Sequence, residues 1–293
     1  MKPRILRLLV FVLLVGTWGS AEAGEHRKLG LEPLKLYDNF EQALINPDKW
    51  VGNQFQTGGS SLELVRKTTL DEHHLRLLNR SFGESYNGFN TLNLFRLAFT
   101  HPDTITAIRS RVQVRNVESK GCPTDLNSTP TLATAQIFGF FFNTTGTVPG
   151  NGTNDVIAGV SPQRRSDSTD PPDVLEIFYF VSHCLDPNCV VSPYLGSGVL
   201  GTVKTGEWVR LLVQWDKDQH QFIFQRDSEP PRVVRYQEGG LSFSDAAAPG
   251  IQLKTIGADN FVANCAGDPH GPRPVGMVDA LFDNVFVNKS AQP

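Results

Sequence analysis

Helical periodicity is almost absent from this 293-residue chain, and methionine occurs only twice. With 19 phenylalanines against those two methionines, the apolar content suits β-rich packing rather than a helical bundle. An excess of positive charge is also missing. The formal net charge of −3 removes the electrostatic case for nucleic acid or an anionic membrane surface as partner. No Gly-x-Ser-x-Gly elbow, His-Glu-x-x-His pair or phosphate-binding loop occurs, which excludes the short-motif hydrolases, zinc proteases and nucleotide enzymes. No linker and no fixed-period repeat divides the chain, so one domain is expected.

At the N-terminus, Lys2, Arg4 and Arg7 precede an apolar stretch from Leu8 to Trp18, and Ala21-Glu22-Ala23 follows. The apolar stretch is too short to cross a hydrocarbon core of ~30 Å as a helix. Residues 1–23 are therefore expected to be a secretory signal peptide removed after Ala23; an uncleaved anchor is the alternative. The rest is expected to be secreted, periplasmic or extracellular, with no transmembrane segment after cleavage. Residues 24–33 read as a flexible terminus, 34–289 as a single β-sandwich domain, and 290–293 as a tail.

Four cysteines, Cys122, Cys184, Cys189 and Cys265, allow three disulfide connectivities in an exported chain. The Asp186-Pro187-Asn188 turn favours a local Cys184–Cys189 clamp, which leaves Cys122–Cys265 to close a long loop. Zinc held by His183 and Cys184 is the alternative. Sequons at Asn79, Asn127, Asn143, Asn151 and Asn288 would mark surface loops in a eukaryotic secreted chain.

The remainder reads as short period-2 strands separated by Gly, Pro, Asn, Asp and Ser clusters. Strands 62–65 and 75–78 bracket polar residues 67–74 as a hairpin, with His73-His74 at its tip. Ile108, Ser110, Val112 and Val114 share one side of a long strand, and residues 133–142 form an apolar one carrying Phe138, Phe140 and Phe142 into the core. Segments 143–154 and 161–172 are too polar and too rich in Gly or Pro for ladder interior. In "GEWVRLLVQWDKDQHQFIFQRD", residues 206–227, two strands flank the turn 216–219, and Val209, Leu211, Val213 and Trp215 share a face. About a dozen such strands without a βαβ rhythm call for an antiparallel sandwich or barrel.

Three segments resemble one family in its own order. "YDNFEQALINPDKW" is similar to the first strand of the concanavalin A-like (laminin G-like) lectin and glucanase superfamily, the 206–227 hairpin to its Gly-x-Trp strand pair, and "LFDNVFVN" to its last strand. The resemblance implies an all-β, antiparallel two-sheet jelly roll whose first and last strands lie side by side. It also implies a structural calcium near that junction, for which Asp38, Asn39, Asp283 and Asn284 are suitable ligand types. The residues alone support a plainer reading, in which each Asp-Asn terminates or caps a strand. No other cofactor is expected.

Glucanases of this superfamily carry Glu-x-Asp-x-Glu or Glu-x-Asp-x-x-Glu on one strand, because alternate carboxylates must flank the scissile bond. That motif is missing. The nearest imitation pairs Asp173 with Glu176, three apart and on opposite sides of a straight strand. Ligand recognition fits better, since sugars stack on rings and hydrogen-bond to polar side chains. Tyr179, Trp208, Arg210, Gln214, Phe222 and Phe224 offer that mixture. The sequence thus points to an exported, non-catalytic protein that binds a glycan or an extracellular partner. A polysaccharide hydrolase or lyase with a divergent site, or a component of an extracellular assembly, is the alternative.

Overall fold

A computed structural model describes residues 31–58, 64–83, 91–122, 129–237, 243–265 and 273–291. The signal-peptide segment and the sequon at Asn127 lie outside these residues. An antiparallel two-sheet jelly-roll sandwich is formed, as expected. One sheet runs in the order β13 (Arg232–Arg235), β12 (Gln221–Arg226), β11 (Trp208–Asp216), β6 (Ala107–Lys120), β15 (Val275–Asn288), β4 (His74–Phe82) and β3 (Val65–Asp71), and β1 (Leu34–Asp38) also pairs with β15. The seven-stranded sheet runs β10 (Tyr194–Lys204), β9 (Val174–His183), β8 (Asp155–Arg165), β7 (Leu132–Asn143), β14 (Lys254–Val262), β5 (Thr91–Phe99) and β2 (Trp50–Thr57). Among the described residues the one helical element is a 3-10 turn, Pro102–Thr104.

Alternation decides which side chains enter the interior. Val209, Leu211 and Val213 face the core from β11, as do Ile108, Val112 and Val114 from β6. Leu175, Ile177 and Val181 do so from β9. Burying side chains of this size contributes about 1.5–3 kcal/mol each before conformational entropy is counted. A bulge between Phe140 and Phe142 splits the phenylalanines of β7. Phe141 and Phe142 join the main core, whereas Phe138 and Phe140 turn to the opposite side with Ile157, Cys184, Ile251 and Leu253. The expectation that Phe138, Phe140 and Phe142 would all enter one core is corrected accordingly.

Other differences trace to local chemistry. The hairpin of β3 and β4 is tighter than the polar run 67–74 suggests, because Glu72 and His73 both adopt positive φ (49° and 67°) and close it in two residues. Residues 161–165, read as loop, continue β8 despite Pro162, which sits opposite Ile177. The edge strands β2 and β10 have no clear alternation in sequence. Glu32 and Pro33, assigned to a flexible terminus, are tied down: the Glu32 N–H donates to Gln214 Oε1 (3.1 Å), and Lys289 N–H donates to Pro33 O (2.8 Å). Three sequon asparagines, Asn79, Asn143 and Asn288, are fully buried, and each side-chain amide is engaged in hydrogen bonds. They are framework residues and mark no surface loop.

Both disulfides form with the expected connectivity, Cys122–Cys265 and Cys184–Cys189, which rules out zinc at Cys184. In the chain-entropy account the first, spanning 143 residues, contributes about 5 kcal/mol and the second, spanning 5, about 2 kcal/mol. Denaturant titration should therefore rank the losses C122S/C265S above C184S/C189S.

Lys254 opens β14 with its ammonium buried, donating to Pro102 O (2.9 Å) and lying 5.0 Å from the Phe141 ring centre. Burial lowers its pKa to about 7, with Asp103 opposing the shift. The unfolded chain, near 10.5, binds the extra proton between these values, so stability rises with pH across that window. Between pH 7 and pH 10 the Tm of the wild-type protein should rise relative to that of Lys254→Met; parallel pH profiles would refute this.

Candidate functional site

The chain ends meet as expected. Asp38 pairs in register with Val285, and Phe40 and Val285 face the interior. The two carboxylates diverge, however. Asp38 turns inward, accepting the Phe40 N–H (3.0 Å) at one oxygen and the Trp50 indole N–H (2.7 Å) at the other. Asp283 lies within β15, not at a strand–loop junction, and accepts from Arg111 (3.3 Å) and from the Asn284 amide (2.5 Å). Both Asp38 oxygens and one oxygen of Asp283 already accept from N–H donors and a guanidinium, so this divergent donor set does not fit the ion. Among the described residues no three His, Cys, Asp or Glu side chains converge on a metal position.

The predicted ligand-binding residues do not form one surface. Tyr179 packs against the core with its ring stacked on Phe224 at 4.8 Å, and Phe222 and Phe224 are fully buried. Gln214 is buried too and holds Glu32. Only Trp208 and Arg210 reach an outer face, that of the eight-stranded sheet. There Trp208 lies between Arg111 (4.7 Å) and His74 (5.0 Å). It lines a depression of about 370 Å³ with Asp71, Gln113 and Arg115.

The outer face of the seven-stranded sheet presents the aromatic surface that the sequence reading placed elsewhere. On β9, Leu175, Ile177 and Val181 point inward, while Glu176, Phe178 and Phe180 point outward. Tyr194, 60% exposed, approaches from β10 with its ring 6.0 Å from Phe178 and 5.8 Å from Phe180. Phe138 continues the row 6.3 Å from Phe180, and the Arg96 guanidinium lies 4.5 Å above the Phe138 ring. The available signal was "LEIFYF", apolar on both sides of the alternation. A strand of that kind either lies between two buried surfaces or presents rings to a ligand.

The carboxylates of this sheet decide what chemistry it can support. Its seven strands contain three, Asp155, Glu176 and Asp259. Asp259 is fully buried and accepts from Arg96 Nε (2.9 Å), from the Gln136 amide and from the Phe95 N–H (3.1 Å). Asp155 accepts from Asn143 (2.8 Å) and from the Gly250 and Ile251 N–H groups (2.7 and 2.9 Å). Burial pushes the Asp155 carboxyl up, and those hydrogen bonds oppose the shift. Both carboxylates hold loops and strands in place. Asp173 is exposed just before β9, with its carbonyl accepting from Thr205 (2.8 Å), while Glu176 stands opposite Gln163 on the outer face. Asp173 and Glu176 thus occupy different settings rather than neighbouring positions on one strand face.

No family model matches the chain, and no curated protein matches it. Several solved structures are similar in fold. The catalytic domain of an endo-1,3-β-glucanase (laminarinase) from Thermotoga petrophila is 14% identical, with 88% of this chain and 100% of that chain covered at a TM-score of 0.47. A putative β-glucanase from Mycobacterium abscessus is 12% identical, with 87% and 98% covered at 0.45. A pseudo β-1,3-glucanase of Mycobacterium tuberculosis is 14% identical, with 88% and 99% covered at 0.40.

Proposed function

We propose that the protein is an exported, non-catalytic glycan-binding β-sandwich that takes an oligosaccharide across the outer face of its seven-stranded sheet. The observation that carries this reading is the solvent-facing cluster of Phe178, Phe180 and Tyr194 beside Glu176. Apolar sugar faces stack on such rings, and Glu176 supplies a hydrogen-bonding group next to them. The non-catalytic part rests on the carboxylates. Hydrolysis needs two carboxyl groups facing one bond, and Asp155 and Asp259 are engaged by N–H donors. Export is supported by the leader-like N-terminus and by two disulfides.

A glycan array probed with the purified protein, with reducing-end release measured in parallel, tests both halves. The protein should be retained on a neutral glycan and release no reducing ends. Phe180→Ala and Tyr194→Ala should each weaken binding about tenfold, given ring contributions near 1 kcal/mol and the loss of buried area. Absence of retention on any glycan would overturn the binding reading and favour an extracellular protein partner. Release of reducing ends that Glu176→Gln abolishes would favour the enzyme reading.

A further inference from the structure

The outer face of the eight-stranded sheet carries a series of guanidinium groups, and three of them have a carboxylate each. Arg76 makes a two-pronged pair with Asp279 (2.8 and 2.7 Å), Arg115 pairs with Asp71 (2.6 Å), and Arg111 pairs with Asp283 (3.3 Å). Arg109 and Arg210 depart from this pattern, since neither guanidinium has an acidic partner among the described residues. They lie on the paired strands β6 and β11, where Arg210 sits opposite Arg111 and Leu212 opposite Arg109. This makes Arg210 the diagonal neighbour of Arg109, within reach of a long side chain. Burial, and after it the charge of Arg210, holds the Arg109 guanidinium below its ordinary range.

Arg109 is also held in position. Its guanidinium carbon lies 4.3 Å from the centre of the Phe286 ring, and its Nε is buried without a hydrogen-bond partner. Two adjacent cations without a counter-charge among the described residues repel one another, and an oxyanion placed between them would relieve that repulsion. The planar fork of arginine matches a carboxylate or sulfate. Next along β11, Trp208 lines the 370 Å³ depression, two residues or about 7 Å before Arg210. That step is comparable to the length of one sugar unit.

We propose that this face binds an acidic polysaccharide, with Arg109 and Arg210 taking its oxyanion groups, sulfate ester or carboxylate, and the Trp208 depression seating a neighbouring sugar. The inference goes beyond the proposed function, because it uses the opposite sheet and needs none of Phe178, Phe180 or Tyr194.

Affinity electrophoresis of the full protein in physiological salt, through gels containing dextran sulfate, polygalacturonate or neutral dextran, tests it. Dextran sulfate, polygalacturonate or both should retard the wild-type protein, and dextran should not; which polyanion retards it identifies the acid group. R109A/R210A should weaken binding at least tenfold, while R165A/R232A, which removes the same charge elsewhere, should leave it unchanged. Arg210 is exposed, so R210E should retain the wild-type Tm and lose binding, which keeps the test decisive if the double variant fails to fold. Tyr194→Ala should leave polyanion binding intact, separating this site from the one on the seven-stranded sheet. The proposal is overturned by no retardation in either polyanion, by equal losses in R165A/R232A, or by wild-type binding in the arginine variants.

Discussion

One strand has to serve two neighbours along a single edge, and the sandwich is arranged around that constraint. β15 keeps β6 along one side for most of its length, while on the other it pairs with β4 through Phe282 and with β1 from Val285. The change of partner coincides with a bulge. Asp283 is opposite Arg111 and Phe286 opposite Arg109, so β15 advances three residues while β6 advances two, and Asn284 takes a φ of 49°. Before the bulge Val278, Ala280 and Phe282 enter the core; after it Val285 and Val287 do. Without the inserted residue the last turn of alternation would send Val285 and Val287 to solvent. Asp283-Asn284 is therefore the point where the register is reset, and Asn tolerates the left-handed conformation better than most side chains.

The matching Asp38-Asn39 does a different task at the other end of the chain. By accepting the Phe40 N–H, Asp38 turns the backbone out of β1, and by accepting the Trp50 indole N–H it fastens one sheet to the other. Tyr37, Phe40, Trp50 and Phe99 pack around that bond with ring centres 4.6–5.8 Å apart. At the neighbouring edge Arg66 of β3 reaches across to Gln54 Oε1 (3.1 Å) and Phe55 O (3.3 Å) of β2. A polar side chain thus bridges the two sheets at this margin.

The fold was legible wherever one face of a strand is buried and the other is wet, because only then does period-2 alternation appear in the sequence. β6 satisfies that condition over most of Ala107–Val114 and β11 over Trp208–Leu211, and the inward residues of both strands were read correctly. β2 and β10 are edge strands with exposed Val51, Phe55, Tyr194 and Val199, and Gly196, Gly198 and Gly201 further blur β10. The binding surface was misread for a related reason. Aromatic content identifies rings without telling which side of the pleat they occupy, and in β9 both sides are apolar. Tyr179 went to the core while Phe178 and Phe180, its immediate neighbours, went outward. The cysteine pairing was legible because a turn between Cys184 and Cys189 leaves one other pair.

The two outer faces handle charge in opposite ways, and this separates their possible chemistry. On the seven-stranded sheet the strand carboxylates Asp155 and Asp259 are enclosed by donors and the guanidinium of Arg96 is buried against Asp259 at 2.7 Å. A buried pair of this kind resists removal of either partner, since the remaining charge would be stranded in a low-dielectric site. What that face offers a ligand is apolar area with few free charges. On the eight-stranded sheet Arg76, Arg111 and Arg115 each have a carboxylate, whereas Arg109 and Arg210 have none among the described residues, so this couple creates a local field that its neighbours do not cancel. The bulge at Asn284 divides the two settings: alternation from Phe282 already places Asp283 beside Arg111, and the reset that follows places Phe286 outside beneath Arg109. The device that completes the core therefore also gives Arg109 a ring in place of a counterion.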